Sequence, residues 1–175
     1  MTHEVTVRHL APAEISSRFS GLSDVLLDCV EGGASVSFMA PMSRTKADAF
    51  WESVRDRVAA GCAELFVAEI EGKVVGTVQL GTALPENQPH RADVAKMLVH
   101  RGARNRGIGR ALLQAAEDAA RTLGKTVLVL DTASDEAERL YRRAGWQEVG
   151  RVPDYALFPD GRLCDTIFFY KRLGS

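Results

Sequence analysis

The segment 94–130 constrains the fold of this 175-residue chain more than any other. Its strand, ending near Val99, leads through a loop rich in arginine and glycine into a predicted helix at 107–123, whose apolar residues recur with helical spacing. Gly124 is placed to cap that helix, and the uninterrupted apolar run 127–130 predicts a strand buried on both faces. A strand, a crossover helix and a second strand in this order predict two parallel neighbours within one sheet.

Periodicity and turn residues predict further elements on both sides of this crossover. In chain order, the prediction is a strand at 5–10, helices at about 12–30 and 45–60, strands at 65–70, 73–80 and 91–99, the crossover helix, a strand at 127–130, a helix from Ser134 to Gly145, and strands at 146–152 and 166–173. This order predicts a single mixed α/β (α+β) domain over 1–175. It combines a mostly antiparallel seven-stranded sheet with about four helices.

Composition excludes several classes of protein. The formal net charge of −1 argues against a protein that binds nucleic acid through its overall charge. The cysteines are odd in number and form no CxxC pair, so we expect neither a disulfide framework nor a metal site. No apolar run approaches the roughly 18 residues of a membrane span, and the start lacks the pattern of a signal peptide. We therefore expect a cytoplasmic protein with no membrane contact.

The loop before the crossover helix has the properties of a phosphate-binding site. A helix N-terminus leaves backbone N–H groups unpaired and carries partial positive charge, and glycines there let a ligand approach closely. A dinucleotide fingerprint is excluded because Leu112 stands where its third glycine belongs, and a P-loop because Ile108 and Gly109 replace its Lys and Ser/Thr. A plain turn with surface arginines stays open. The four arginines that add positive charge here are Arg101, Arg104, Arg106 and Arg110.

The run Arg104-Asn105-Arg106-Gly107-Ile108-Gly109 has the form R-x-x-G-x-G and resembles the diagnostic motif of the GNAT acetyltransferase superfamily. The resemblance implies that this loop holds the pyrophosphate of acetyl-coenzyme A. It also implies a sheet that splays between strands 4 and 5, where a bulge aims a backbone N–H at the thioester. The residues implied in coenzyme binding are Met97, Leu98, Val99, Arg104, Asn105, Arg106, Gly107, Ile108, Gly109, Arg110, Ser134 and Tyr141.

A second motif strengthens the resemblance. Residues 134–146 match the family's helix in which a tyrosine precedes A-G-[FWY]. The matching residue, Tyr141, is implied to sit near the coenzyme sulfur and to protonate the departing thiolate. A tyrosine suits that role because its ordinary pKa is about 10; a packing role for the ring is the open alternative. With no serine or cysteine nucleophile indicated, we expect direct transfer in a ternary complex.

Within the superfamily, segments 32–39, 87–93, 130–132 and 159–163 are similar to the tabtoxin-resistance enzymes, which acetylate the amine of an amino-acid toxin. That resemblance implies two catalytic carboxylates, at positions matching Asp93 and Asp131. A base is required because an amine must lose a proton before it attacks a thioester. Each carboxylate has an alternative role that stays open. Asp131 could cap the loop that follows it, and Asp93 could form an ion pair with the substrate ammonium. Asp93 is one methylene shorter than the glutamate of those relatives, which leaves a bridging water open.

The acceptor is expected to be a primary amine of a small molecule, with an amino-acid-like toxin or antibiotic as the sharpest version. Its pocket is predicted from the apolar loop 32–42 and the region over the cleft, with Ser35, Phe38, Asp93, Asp131 and Tyr155 as substrate residues. Two alternatives stay open, an enzyme that acetylates proteins or peptides and a non-catalytic acyl-coenzyme-A sensor. A homodimer through the last two strands also stays open.

Several other side chains are expected to serve structure. His90 and His100 flank the fourth strand without an evident partner and are predicted to be surface residues. The three arginines of the helix after Ser134 are predicted to form a solvated face: Arg139, Arg142 and Arg143.

Overall fold

A computed structural model describes residues 4–174. Its strands form one seven-stranded sheet in the order β1-β2-β3-β4-β5-β7-β6, in which only β4 and β5 are parallel. This confirms the predicted mixed sheet and its single parallel crossover. The strands are β1 (Val5–His9), β2 (Ala63–Ile70), β3 (Lys73–Gly81), β4 (Arg91–Val99), β5 (Val127–Thr132), β6 (Gln147–Leu157) and β7 (Leu163–Arg172).

The described residues contain five α-helices, four of them long, and one 3₁₀ turn at Arg101–Ala103. The helices are α1 (Pro12–Ser16), α2 (Phe19–Glu31), α3 (Arg44–Ala59), α4 (Ile108–Thr122) and α5 (Asp135–Arg143). The single helix predicted at 12–30 is wrong, because the chain breaks it at Arg18. The Arg18 backbone leaves the helical region, and its Nε donates to Glu69 Oε1 on β2 at 2.6 Å.

The last two strands form a longer hairpin than predicted. The sequence Arg-Val-Pro-Asp at 151–154 is typical of a loop, yet β6 continues through it with a register shift between Val152 and Ala156. Asp154 has a φ of 53° at this irregularity, and its N–H is held by Asp165 Oδ1 at 3.1 Å. Tyr155, predicted in a loop, therefore lies in a strand.

The sheet separates two apolar cores. One lies beneath α4 and α5, and the other packs α1, α2 and α3 against the opposite face. Strand β4 contributes to both, since Val94 belongs to the first core and Leu98 to the second. Two residues four apart on a regular strand share a face, so an extra residue must lie between them.

That extra residue is a bulge at Lys96 and Met97. Strand β3 advances by two residues from Thr77 to Gln79 while β4 advances by three from Leu98 back to Ala95. Lys96 has a φ of 50°, a left-handed conformation that is uncommon outside glycine. The bulge therefore re-aims the second half of β4 and leaves a residue without a partner in the ladder.

Strands β4 and β5 stay paired over only three rows, from Arg91 opposite Val127 to Asp93 opposite Val129. Beyond that point β4 remains paired with β3, and β5 with β7. The sheet thus splits between its fourth and fifth strands, as predicted, and one edge of each strand faces the gap.

The Ala-Gly-Trp segment after α5 is tied to α4 by a buried carboxylate. Trp146 Nε1 donates to Glu117 Oε1 at 2.9 Å, and Lys171 Nζ donates to Glu117 Oε2 at 2.7 Å. Lys171 also donates to Ala144 O at 2.7 Å. Because a buried charge must be paired, this network fixes the end of α5 relative to the second half of α4. Across residues 4–174, no helix is long and apolar enough to cross a membrane.

Candidate active site

A cavity of about 1110 Å³ opens where β4 and β5 part. One side is formed by the second half of β4, the N-terminus of α4 and one face of α5; the other by the loop after α2 and the β6–β7 hairpin. The sequence-predicted site residues that line it are Ser35, Phe38, Met97, Leu98, Val99, Arg104, Asn105, Gly107, Ile108, Gly109, Arg110, Asp131, Ser134, Tyr141 and Tyr155. Asp93 and Arg106 are absent from its wall.

The loop before α4 presents backbone N–H groups to the cavity. Asn105 and Gly107 have φ values of 62° and 75°, which turn the chain sharply into the helix. Gly107 is the N-cap and supplies no side-chain oxygen, so the first-turn N–H groups lack a capping partner. A Cβ on Gly109 would lie 3.1 Å from Leu140 Cδ2, so glycine lets α5 approach closely. The result is an uncapped, positively polarised helix end that opens on the cavity.

Helix α2 anchors this loop from behind. Asp28 accepts the Arg101 N–H at 2.7 Å and Arg101 Nε at 3.0 Å. Burial alone would raise the pKa of Asp28, but these bonds outweigh it and hold the pKa below its usual range. His100 lies near the same carboxylate, with Nε2 3.6 Å from Oδ1, and its Nδ1 accepts the Gly102 N–H at 3.1 Å. His100 is partly exposed, as predicted, but it does have a carboxylate neighbour and caps the 3₁₀ turn.

Replacing Asp28 with Asn should destabilise the protein by about 1–3 kcal/mol, because it weakens two hydrogen bonds to a charged group. For a chain of this size that corresponds to a fall in Tm of roughly 2–4 °C per kcal/mol. Since the folded pKa is depressed, the stabilisation is complete above the ordinary aspartate pKa and is lost as pH falls through the folded value. The Tm of Asp28→Asn should therefore lie below that of the parent protein at pH 7, and the two Tm values should converge below about pH 4.

Asp24→Asn is the matched control for that experiment, because Asp24 lies on the same helix and pairs with Arg44 at the surface. An exposed pair contributes little, so its Tm should stay close to that of the parent protein. Equal losses in the two variants would refute the anchoring role of Asp28.

Tyr141 reaches the cavity from α5 with its ring held in the core. The residue is 4% exposed, and its ring lies 5.8 Å from both Trp146 and Phe169, centroid to centroid. Burial, and then the negative charge of Asp131, raise its pKa. Within the described chain its hydroxyl has no hydrogen-bond partner, so it is a protonated donor facing the cavity. The packing and proton-donor interpretations are therefore compatible.

The two predicted carboxylates lie on neighbouring strands but in different settings. Asp131 lies on the cavity wall and accepts Thr166 Oγ1 at 2.8 Å, and it makes no cap for α5, whose N-cap is Ser134. Asp93 lies near Arg91, with Oδ1 3.1 Å from Nη1. Burial, and the charge of Asp131, raise the pKa of Asp93 against the opposing effect of Arg91. Asp131 is thus the carboxylate with direct access to the cavity, whereas Asp93 does not line the cavity wall.

The loop after α2 closes the side of the cavity opposite the α4 N-terminus. Ser35 Oγ donates to Leu157 O at 2.9 Å, and the Ala40 N–H donates to Pro159 O at 3.1 Å, so the loop is bonded to the β6–β7 hairpin. Phe38 packs edge-on against Phe50 of α3, with ring centroids 5.2 Å apart. Phe38 and Met42 are partly buried in this way, whereas Met39 is 40% exposed.

Three cationic residues that line the cavity were not predicted from the sequence to belong to the site. Lys96 sits at the bulge, and its Nζ donates to Ser37 Oγ at 2.9 Å. Arg139 and Arg143, predicted to be solvated, line the cavity one helical turn apart beside the α4 N-terminus. The spacing of four residues on α5 was the available signal. Arg142 does point away and pairs with Glu138 and Glu148. Among the described residues, no group of three metal-ligating side chains converges.

The chain is similar to known acetyltransferases over most of its length. The sequence model of the Acetyltransferase (GNAT) family matches residues 35–146. An uncharacterized N-acetyltransferase of the hisH-hisA intergenic region of Azospirillum brasilense is 32% identical over 115 residues, or 63% of this chain. The match spans 65% of the length of that relative.

Two solved structures share the fold. The ribosomal-protein-alanine N-acetyltransferase of Brucella melitensis is 27% identical, with 96% of this chain and 99% of that one covered and a TM-score of 0.75. A GNAT phosphinothricin acetyltransferase from Sinorhizobium meliloti, solved in complex with acetyl-coenzyme A, is 22% identical, with 97% and 89% covered and a TM-score of 0.78. With the family model covering 112 of the 175 residues, from 35 to 146, the chain belongs to the GNAT acetyltransferase family.

Proposed function

We propose that this protein transfers an acetyl group directly from acetyl-coenzyme A to a primary amine of a small molecule. The observation that carries the proposal is the convergence, at the gap between β4 and β5, of an uncapped helix N-terminus, a strand bulge, a carboxylate and a buried tyrosine. These are the groups that such a reaction needs for the coenzyme phosphates, the developing oxyanion, the amine proton and the leaving thiolate.

The coenzyme fits this side of the cavity. Its pyrophosphate would bind the first-turn N–H groups of α4, where Gly107 and Gly109 leave the backbone accessible and Arg104 and Arg110 add positive charge. Arg139 and Arg143 extend that charge along α5. The pantetheine arm would pair with the edge of β4 that faces the gap beyond Asp93, as an added strand does.

The chemistry follows from the groups around the gap. Asp131 accepts a proton from the substrate ammonium, and the free amine attacks the thioester carbonyl carbon. The unpartnered backbone at the bulge, near Met97, donates to the carbonyl oxygen as it gains negative charge. A C–N bond forms, the C–S bond breaks, and the departing thiolate takes a proton from the Tyr141 hydroxyl. The proton that the nitrogen loses as it becomes an amide returns to Tyr141 through water, which restores the hydroxyl. Asp93 contributes negative charge near Asp131 and is a candidate to relay the ammonium proton from Asp131 to solvent.

The closed acceptor side favours a small molecule. Because the loop after α2 is bonded to the β6–β7 hairpin, the cavity is walled where a protein substrate would need an open groove. An amino-acid-like toxin or antibiotic is the sharpest form of this proposal, supported by the resemblance of segments such as 32–39 and 159–163 to tabtoxin-resistance enzymes. Acetylation of a protein N-terminus is the second candidate, favoured by the 27% identity to the ribosomal-protein-alanine enzyme.

A thiol-release assay tests the function. Purified protein with acetyl-coenzyme A should release free thiol when supplied with a panel of small primary amines and amino acids, and mass spectrometry should find the acetylated product. Turnover on peptides with a free N-terminus, but on no small amine, would select the second candidate. Tight coenzyme binding by calorimetry without turnover on either panel would contradict both and indicate a sensor.

A further inference from the structure

Lys96 is a cation that reaches from the β4 bulge to the loop after α2, on the opposite side of the cavity. Its side chain leaves the β4 bulge, donates to Ser37 Oγ at 2.9 Å and lies over the Phe50 ring, 6.0 Å from the centroid. Burial lowers its pKa, and the negative charge of Asp131 opposes that shift. The contact with Ser37 is open to solvent on the cavity wall, so the ammonium stays accessible to a ligand.

No carboxylate pairs with this ammonium directly. Between residues 4 and 174, no acidic oxygen lies within ion-pair distance of Lys96 Nζ. Asp131 lines the same cavity and acts on the ammonium through its charge alone. An ammonium carries three donors, and Ser37 occupies one of them. Two donors therefore remain for a ligand.

Backbone strain is concentrated at the same contact. Ser37 and Lys96, whose side chains are bonded, both adopt left-handed φ values, of 79° and 50°. Non-glycine residues in this conformation cost stability and cluster at ligand sites, where the surrounding structure maintains them. The loop after α2 and the β4 bulge are thus both held in the conformation that brings this hydroxyl and this ammonium together.

We infer that Lys96 and Ser37 bind a carboxylate of the acceptor, so that the substrate is a zwitterion whose reacting amine faces Asp131. This inference rests on the proposed function and narrows its substrate class to amino acids. A cation and an anion that line one cavity without forming an ion pair match the two ends of such a molecule. One lysine, one hydroxyl and an aromatic wall suit a single carboxylate better than a multiply charged phosphate.

Matched pairs of substrates test the inference on the intact enzyme. Each amino acid of a panel is compared with its carboxamide, which keeps the shape and the amine but removes the negative charge. The parent enzyme should favour the acids in kcat/KM. The amine of a carboxamide loses its proton more readily than the amine of the acid. Amine reactivity alone would therefore favour the carboxamides, so a preference for the acids cannot come from it. Lys96→Met should raise KM for the acids by about 10- to 100-fold, the effect of losing a hydrogen bond to a charged group, and leave the carboxamides unaffected.

Two further variants sharpen the result. Lys96→Arg keeps the charge and should retain most of the preference for acids. Lys46→Met removes a lysine that lies over Phe38, 5.9 Å from the ring centroid, outside the cavity wall, and should change nothing. Turnover of acids and carboxamides with equal efficiency by the parent enzyme would overturn the inference while leaving the proposed function intact. Absence of turnover on any small amine would instead overturn the proposed function, and this inference with it.

Discussion

Replacing Asp131 with Asn should lower kcat by about 100- to 10,000-fold, the range typical of losing a general base. The amide keeps the size of the side chain and can still bond to Thr166, whose Oγ1 lies 2.8 Å from the carboxylate, so the wall should keep its shape. What it loses is the ability to accept the ammonium proton. Steady-state kinetics should therefore show the loss in kcat, with the affinity for acetyl-coenzyme A unchanged in calorimetry.

Asp118→Asn is the control for this experiment, since Asp118 lies on the solvent face of α4 and, within residues 4–174, its carboxylate bonds only to Gln114 and Arg121 of the same helix. Its kcat should match the parent value. Thr166→Val should produce a smaller loss than Asp131→Asn, because it frees the carboxylate without removing it. A kcat within a few-fold of the parent in Asp131→Asn would transfer the role of base to Asp93, which the corresponding Asp93→Asn variant would then reveal.

Replacing Gly109 with Leu should weaken the binding of acetyl-coenzyme A on the order of 100-fold, the loss expected from one or two hydrogen bonds to a charged group at about 1.5–3 kcal/mol each. The new side chain starts in the first turn of α4, where the backbone must stay open to the pyrophosphate. Isothermal calorimetry measures the change directly, independent of any acceptor.

The same substitution also disturbs packing, because a Cβ at position 109 would lie 3.1 Å from Leu140 Cδ2. Combining Gly109→Leu with Leu140→Ala separates the two effects. If the obstruction acts on the ligand, the double variant should recover Tm but not coenzyme affinity. Full recovery of affinity would show that Gly109 serves the contact between α4 and α5, and the phosphate assignment would be wrong.

The residues assigned to the coenzyme could be predicted from sequence as a group because their signals are local. The glycines and arginines at 104–110 and the Tyr141 motif each lie within one continuous segment, and most of them line one wall of the cavity. The opposite wall depends on contacts between distant segments, such as Ser35 with Leu157 and Lys96 with Ser37. No periodicity encodes such pairs.

Two misinterpretations have the same origin. The helix break at Arg18 is fixed by Glu69, which lies 51 residues later in the chain, and the extension of β6 through Asp154 depends on Asp165. Local propensity favoured a continuous helix and a loop, and tertiary contacts overrode both. The sequence does show Lys96 as the one cation among the apolar residues 94–99. Its position on the cavity wall could not be predicted, because it depends on the bulge in β4.

The two walls of the cavity come from different parts of the sequence. On one of them, the loop after α2 is hydrogen-bonded to the β6–β7 hairpin. One wall comes from a single stretch, 94–144, which holds the residues that we propose to face the coenzyme together with Lys96 and Asp131. The facing wall is assembled from 32–39, 155–158 and 164–166. Under the proposed function, substitutions in these outer segments would reshape the acceptor pocket and leave the coenzyme wall unchanged. Because Ser35 bonds to Leu157, we expect a change in one outer segment to require a matching change in the other.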